Sequence, residues 1–405
     1  MTSLPGPLRP ADLPAFVTVS SIVLVLLTGP TIGCSTTTAT PDERQQEAPI
    51  ADDQGVAESE SGTDEDRQLE AQNLGMTEFM AWEAWQVTRA DAPDLDVYVE
   101  RDDEPRPVVV LLQGSGCTPL FFTFPMGMGS SLIFLSQLRE RDHPVHYVTV
   151  EKRGVESFGP RPEGDPGTAE GCSEEYLEGL AKPLRVQDVV DAIEALSDEP
   201  WAEQILVAGH SEGVAIASGV AAQLDDQLTA VGLFSSAGPS QLADFAMYSH
   251  RTGDASEVSE TFDDILQLTT EPDELDSWGG HPVERWTSFA VDTTPLEDLR
   301  DTSVPVFVTH GTEDRASAIE SADVFVVELL RTDSQRPLSY LRLHDVDHGL
   351  QIRDTEISRM DDVFDHFLDW ALSDDPPREI IVDAFDEDDE KDAEQSDAEQ
   401  SDDAP

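Results

Sequence analysis

Lysine is almost missing from this chain. Three lysines, Lys152, Lys182 and Lys391, occur in 405 residues, and Lys plus Arg total 24 against 84 Asp plus Glu. The formal net charge is −60. That charge is spread along the chain: residues 41–70 carry a net −9, residues 374–405 a net −13, and residues 71–373 the remaining −38. Clustered cations, which phosphate contacts require, are lacking, so nucleic acid is excluded as a partner. Self-repulsion of this size keeps a protein soluble and works against compactness at low ionic strength. An acidic, Lys-poor surface is like that of proteins from saline habitats, so stability is expected to rise with salt. Metal-ligand spacing such as H-E-x-x-H is absent as well, and neither a metal nor a cofactor is expected.

Long apolar runs are also missing. Residues 15–29, AFVTVSSIVLVLLTG, are the nearest approach, and they fall short of the ~20 residues of a membrane span. Arg9 precedes them and Gly29-Pro30 ends them. A basic start, an apolar middle and small residues at the end make a secretory signal over 1–33. The end, Thr31-Ile32-Gly33-Cys34-Ser35, resembles the bacterial lipoprotein signal, in which the cysteine is lipidated. Thr31 stands where that signal usually has Leu, and a plain signal peptide or an uncleaved anchor is the competing reading. Residues 34–70, rich in Thr, Glu, Asp, Ser and Gln, have little to bury and are expected to be a disordered tether. The resemblance implies an exported protein of the bacterial cell envelope, periplasmic or at the surface, lipid-anchored through Cys34.

Cysteine is scarce too, at three. With Cys34 set aside, Cys117 and Cys172 form an even pair. In an exported chain the pair is a disulfide candidate, the alternative being two buried thiols.

What is present is alternation. Apolar runs at 95–99, 107–112, 145–150, 204–208, 230–235, 304–309 and 338–343 read as strands. Those at 107–112, 204–208 and 304–309 lack polar alternation, as strands covered on both faces do. Residues 184–196, 213–224 and 356–372 carry helical apolar spacing. The expectation is an α/β fold over 71–373, with a mostly parallel central sheet and helices on both faces. Residues 239–300 break the rhythm and are expected to form an inserted lid or cap. Residues 118–135, glycine- and aromatic-rich, are core or the lining of an apolar pocket. The repetitive acidic stretch 374–405 is expected to be a disordered tail.

The chemistry centres on Gly209-His210-Ser211-Glu212-Gly213, which follows a strand and opens a helix. That is the context of a nucleophile elbow, with the two glycines leaving room for a tight turn. A serine hydroxyl needs a base, and the base needs a third group to orient it. Such groups collect at strand carboxyl ends. Asp314 follows the strand at 304–309, and His348 follows the strand at 338–343. The order Ser211, Asp314, His348 is that of the α/β-hydrolase triad.

From about 95 to 373 the chain resembles the α/β-hydrolase family. LLQGSGC (111–117) is similar to its oxyanion loop, VEKRGVESFG (150–159) to its D-x-R-G-x-G-x-S segment, GHSEG (209–213) to its elbow, HGTED (310–314) to its acid loop and DHG (347–349) to its histidine loop. The resemblance implies Ser211 as nucleophile, His348 as general base then acid, and Asp314 as the group orienting the imidazole. The oxyanion hole would use the backbone N–H of Glu212 and one from Ser115 or Gly116. Gln113 stands where the family often has His, a change to loop support rather than mechanism. Of the competitors, His344, His310 and His210 read as structural, Asp345 and Asp347 as surface residues or as supports behind the acting residues, and Glu313 as a weaker substitute for Asp314. Lys152 and Arg153 would brace their loop or meet an acidic substrate. The implied activity is hydrolysis of a small-molecule carboxylic ester. A serine peptidase of the aminopeptidase type is one alternative, and a non-catalytic ligand-binding or scaffold lipoprotein is another.

Overall fold

The computed structural model describes residues 68–77, 82–124, 127–134, 144–253, 255–355 and 357–382. The signal segment, Cys34, most of the tether and residues 383–405 lie outside the described residues.

Ten strands form one sheet. In chain order they are β1 (Leu69–Met76), β2 (Trp82–Arg89), β3 (Leu95–Glu100), β4 (Arg106–Leu112), β7 (His146–Val150), β8 (Ala202–His210), β9 (Leu228–Phe234), β12 (Val306–Gly311), β13 (Leu338–Leu343) and β14 (Glu379–Val382). The missing numbers belong to two small hairpins, β5 (Phe121–Phe124) with β6 (Gly127–Ser130), and β10 (Ser277–Trp278) with β11 (His281–Pro282). The spatial order is β1-β2-β3-β7-β4-β8-β9-β12-β13-β14. Pairing is antiparallel from β1 to β7 and parallel from β7 to β14. This is the mostly parallel, helix-covered α/β-hydrolase architecture expected from the order of the motifs.

The apolar strands are explained by what covers them. Along β4, Val108, Val110 and Leu112 join one core cluster, while Val109 and Leu111 join another. Side chains alternate between faces with period two, so a strand buried on both sides must be apolar throughout. The first cluster takes its helical share from α2 (Lys182–Ser197), α3 (Gly213–Leu224) and α8 (Ile319–Thr332). The second takes Met360, Val363, Phe364, Phe367 and Leu368 from α9 (Met360–Ala371). A short helix, α1 (Glu174–Glu178), capped by the Ser173 hydroxyl, packs Tyr176 beside Cys117 and Leu180.

Between β9 and β12 the chain leaves the sheet. It forms α4 (Gln241–Thr252), α5 (Ala255–Thr270), the β10–β11 hairpin, α6 (Val283–Trp286), a π-helical turn over Thr287–Val291 and α7 (Pro295–Arg300). Leu268, Val283, Trp286 and Ala290 give this segment a small core of its own.

Two boundaries move. The sheet starts at Leu69, and β14 pairs in parallel with β13 inside the stretch expected to be tail. Glu379 makes the difference: its carboxylate accepts from the Ser339 hydroxyl at 2.7 Å and lies 2.6 Å from His366 Nε2. These contacts hold a four-residue apolar strand that an acidic neighbourhood conceals.

Candidate active site

β8 delivers His210 to the sheet's carboxyl edge, and α3 begins at Gly213. Ser211 bridges them with φ +57, in the left-handed region. A non-glycine residue there costs about 1–3 kcal/mol and persists only where its surroundings hold it. They do so here. The Ser211 N–H donates to Phe234 O at 3.0 Å, and the Val214 N–H donates to Ser211 O at 3.0 Å. A Cβ on Gly209 would sit 2.2 Å from Gly213 O, and one on Gly213 would sit 2.5 Å from Leu112 O. Both positions therefore need glycine for the close packing of strand, turn and helix.

The loop after β4 closes over this corner. A Cβ on Gly114 would lie 3.2 Å from Ser211 Cβ. Among the described residues, the backbone N–H groups of Ser115, Gly116 and Glu212 have no protein acceptor. Gln113 braces the loop, accepting from the Ser131 hydroxyl at 2.5 Å and donating to Glu151 Oε1 at 3.4 Å. Gly116 has φ +83, and a Cβ there would lie 2.0 Å from Pro166 O. Next to it, Cys117 is bonded to Cys172, with the two Cα atoms 5.7 Å apart. The bridge ties this loop to the 165–172 segment.

The loops after β12 and β13 meet at the same edge. His348 Nδ1 lies 2.8 Å from Asp314 Oδ2. Asp314 is fully buried, and its Oδ1 accepts from the N–H groups of Ala316 and Ser317 at 2.7 and 2.9 Å. Burial alone would raise its pKa, but His348 and these donors hold it below the usual carboxylate range. Burial likewise works against a charged His348, yet the Asp314 carboxylate lifts its pKa above the ordinary imidazole value. His210 links this pair to the elbow. Its Nε2 lies 2.9 Å from the His348 carbonyl oxygen, and the two rings are 4.9 Å apart at their centroids. A carbonyl only accepts, so His210 carries its proton on Nε2. Burial drives the His210 pKa to about 3, which keeps the ring neutral.

The competitors are exposed or engaged with other partners. The His344 side chain is 58% exposed, beside Asp345. Glu313 pairs at the surface with Arg353 at 2.5 Å. Asp347 Oδ1 accepts from the N–H groups of Gly349 and Gln351, shaping the histidine loop. His310 is buried, 3.7 Å from Asp314 Oδ2. Arg153 is engaged with Asp188.

Two groupings had no sequence signal, although Lys152 alone was expected to brace its loop and does so through Gly114 O and Gly116 O. Glu212, Lys152 and Arg285 form a buried ionic cluster drawn from three distant segments. Asp244, on α4, is a buried carboxylate close to Ser317, Ser321 and the Asp314 loop. Among the described residues, no group of three His, Cys, Asp or Glu side chains could hold a metal ion, and no helix is long and apolar enough to cross a membrane.

The fold and site thus define a doubly wound sheet with a strained serine at its carboxyl edge, beside a hydrogen-bonded Asp–His pair. No protein-family model and no curated protein matches the chain. Solved structures do match it in part. Est1E from Butyrivibrio proteoclasticus is 16% identical, with 71% of this chain and 98% of that chain covered and a TM-score of 0.44. An acetyl xylan esterase from Paenibacillus sp. R4 is 14% identical over 75% of this chain and 89% of that one, at 0.47. A puromycin-hydrolyzing peptidase from Mycobacterium tuberculosis is 17% identical over 78% of this chain and 41% of that one, at 0.46.

Proposed function

We propose that the protein is a serine hydrolase that works through an acyl-enzyme and acts on a carboxylic ester. The observation that carries this reading is the Asp314–His348 pair, held by His210 against the elbow where Ser211 is forced into a left-handed conformation. In this reading Ser211 Oγ adds to the ester carbonyl carbon while His348 Nε2 takes its proton. Asp314 fixes the imidazole with Nδ1 protonated and stabilises the imidazolium that forms. The carbonyl oxygen becomes an oxyanion facing the N–H groups of Glu212 and Ser115. His348 then returns the proton to the leaving alcohol, and water repeats the sequence to release the acid.

An aminopeptidase needs an acidic anchor for the substrate's ammonium group. Glu212, beside the nucleophile, is unsuited to that role because Arg285 already binds its carboxylate. That engagement favours the ester. The Cys117–Cys172 bridge supports export to an oxidising compartment, and anchoring through a lipid on Cys34 belongs to the same proposal. A fluorophosphonate probe should label the folded protein, and Ser211→Ala should abolish both labelling and turnover. An unlabelled wild type would sink the hydrolase reading. A panel of p-nitrophenyl esters beside aminoacyl anilides tests the substrate class, with faster anilide cleavage overturning the ester.

A further inference from the structure

We propose that the buried Lys152–Glu212–Arg285 cluster positions the oxyanion hole, and that through Arg285 the inserted segment becomes part of the catalytic machinery. This rests on reading Ser211 as the nucleophile. Glu212 follows the nucleophile, and its side chain is buried in the protein. Its Oε2 accepts from Arg285 Nη2 at 2.7 Å and from Arg285 Nε at 3.1 Å. Arg285 belongs to the insertion. It also donates to Gln241 Oε1 on α4 at 3.0 Å, and its guanidinium lies 4.0 Å from the Trp286 ring centroid and 4.9 Å from that of Phe289. A fork held by two carboxylate contacts, an amide and two rings has little freedom.

The other end of the cluster reaches the opposite wall of the hole. Lys152 Nζ donates to Gly114 O and, at 2.7 Å, to Gly116 O, and it lies 3.8 Å from Glu212 Oε1. The three donors of an ammonium group are thereby directed at two loop carbonyls and one carboxylate. The first carbonyl decides the function. The peptide joining Gly114 to Ser115 is planar and trans, so its C=O and N–H point in opposite directions. Lys152 holds the Gly114 oxygen, so the Ser115 N–H, which has no protein acceptor among the described residues, faces the opposite way from the ammonium. Between Ser115 and Gly116 as loop donor, this geometry selects Ser115. Glu212 holds the same ammonium from below while its own backbone N–H forms the other half of the hole. One ionic cluster thus sets both donors.

The charge balance points the same way. With Lys152 protonated, which burial confines to pH below about 8, the cations Lys152, Arg185 and Arg285 outnumber the carboxylates Glu151 and Glu212, leaving a net positive charge buried beside the proposed oxyanion hole. In a low-dielectric interior such a charge stabilises the transition state more than the neutral ester.

The cluster acts through backbone groups, so these are positioning residues, and the test must separate positioning from folding. The variant Glu212→Gln/Arg285→Gln removes one charge of each sign, so the net charge of the cluster is unchanged, and it breaks the two-point contact between the Arg285 fork and the Glu212 carboxylate. It should keep the wild-type circular dichroism spectrum. Its kcat on p-nitrophenyl acetate should fall about 10- to 100-fold, with KM changed less than about threefold. The Ki of an aryl trifluoromethyl ketone, whose adduct with Ser211 carries an oxyanion, should rise by the same factor as kcat falls. Arg285→Lys, which keeps the charge but loses the fork, should restore an intermediate kcat. A folded double variant with kcat within twofold of wild type overturns the proposal, as does a loss of kcat with an unchanged ketone Ki. Should the double variant not fold, Lys152→Gln gives the same readouts on the Ser115 side, and a wild-type kcat and ketone Ki there overturn the proposal. An unlabelled wild type in the fluorophosphonate experiment would instead defeat the nucleophile reading itself.

Discussion

His348 Nδ1 lies 2.8 Å from Asp314 Oδ2, and the carboxylate is fully buried while the imidazole remains partly open to the site. The base of the proposed reaction must be neutral, so activity should rise with pH as His348 loses its proton. Burial lowers that pKa, but Asp314, with smaller help from Asp347 and Asp244, raises it above the ordinary imidazole value. The acidic limb of the kcat profile should therefore lie above the usual histidine range. Asp314→Asn removes the main attraction and leaves burial opposed only by the smaller effects of Asp347 and Asp244. Its limb should move to lower pH, and kcat should fall roughly 10³- to 10⁴-fold. A pH–rate profile in which the limb stays put would separate His348 from Asp314.

The disulfide should govern both stability and rate. Cys117 and Cys172 are separated by 55 positions in sequence, and a loop of that length constrains the unfolded state by about 4 kcal/mol. The same bridge fixes the segment whose Pro166 and Thr168 carbonyl oxygens pack against Gly116. Cys117→Ala/Cys172→Ala is expected to lower the denaturation midpoint and also kcat. Thiol counting under denaturing, non-reducing conditions should find neither cysteine free in the wild type.

Asp244 should make the protein less stable at high pH. Burial pushes its carboxyl up to about 7, with Ser321 and Ser317 pulling weakly the other way. A carboxyl raised in the folded state above its unfolded value carries no penalty below the unfolded value. The penalty grows as pH rises between the two and is complete above the folded value. Asp314 has the opposite sign, its contribution being present at neutral pH and lost in acid. Asp244→Asn should therefore raise Tm at pH 8, by at most roughly 4 kcal/mol of stability, and have little effect at pH 4. A Tm difference independent of pH would mean that the carboxylate is solvated.

Net charge sets a fourth expectation. With 84 acidic and 24 basic side chains, repulsion among surface carboxylates opposes folding, and salt screens it over a Debye length of about 10 Å at 0.1 M. Tm should climb between low and molar salt. A flat response would show that the acidic surface has no such effect.

Much of this architecture was legible because it obeys a simple period. The apolar runs of β4, β8 and β12 are buried on both faces, and the Ser211 elbow, Asp314 and His348 each lie just past a strand. Sequence could place them without knowing what they touch. The strands β1 and β2 were not read, because WEAWQVTR mixes Trp and Val with Glu, Gln and Arg. Its Arg89 is a buried ligand of Asp188 and Asp191 rather than a solvated cation. Glu212 kept its role hidden for a related reason. Its partners lie 60 residues before it and 73 after it, so only the folded chain brings Lys152 and Arg285 to one carboxylate.

The last strand gives a test of where the folded unit ends. Read by composition, the domain stops at residue 373; in the structure it continues through β14. There Ile381 packs on the second core cluster, Glu379 meets Ser339 and His366, and the Trp370 indole N–H donates to Pro377 O at 2.8 Å. A chain stopped after Ser373 loses these three side-chain contacts and one flank of β13. At about 1 kcal/mol per hydrogen bond the deficit is roughly 3 kcal/mol, or a Tm lower by on the order of 5 °C or more. The bared edge of β13 also offers unpaired backbone groups to other chains, so aggregation on heating should increase. A chain stopped after Val382 keeps every one of these contacts and should melt with the full-length protein. If the two truncations melt together, β14 contributes nothing to the fold, and the boundary read from composition is the right one.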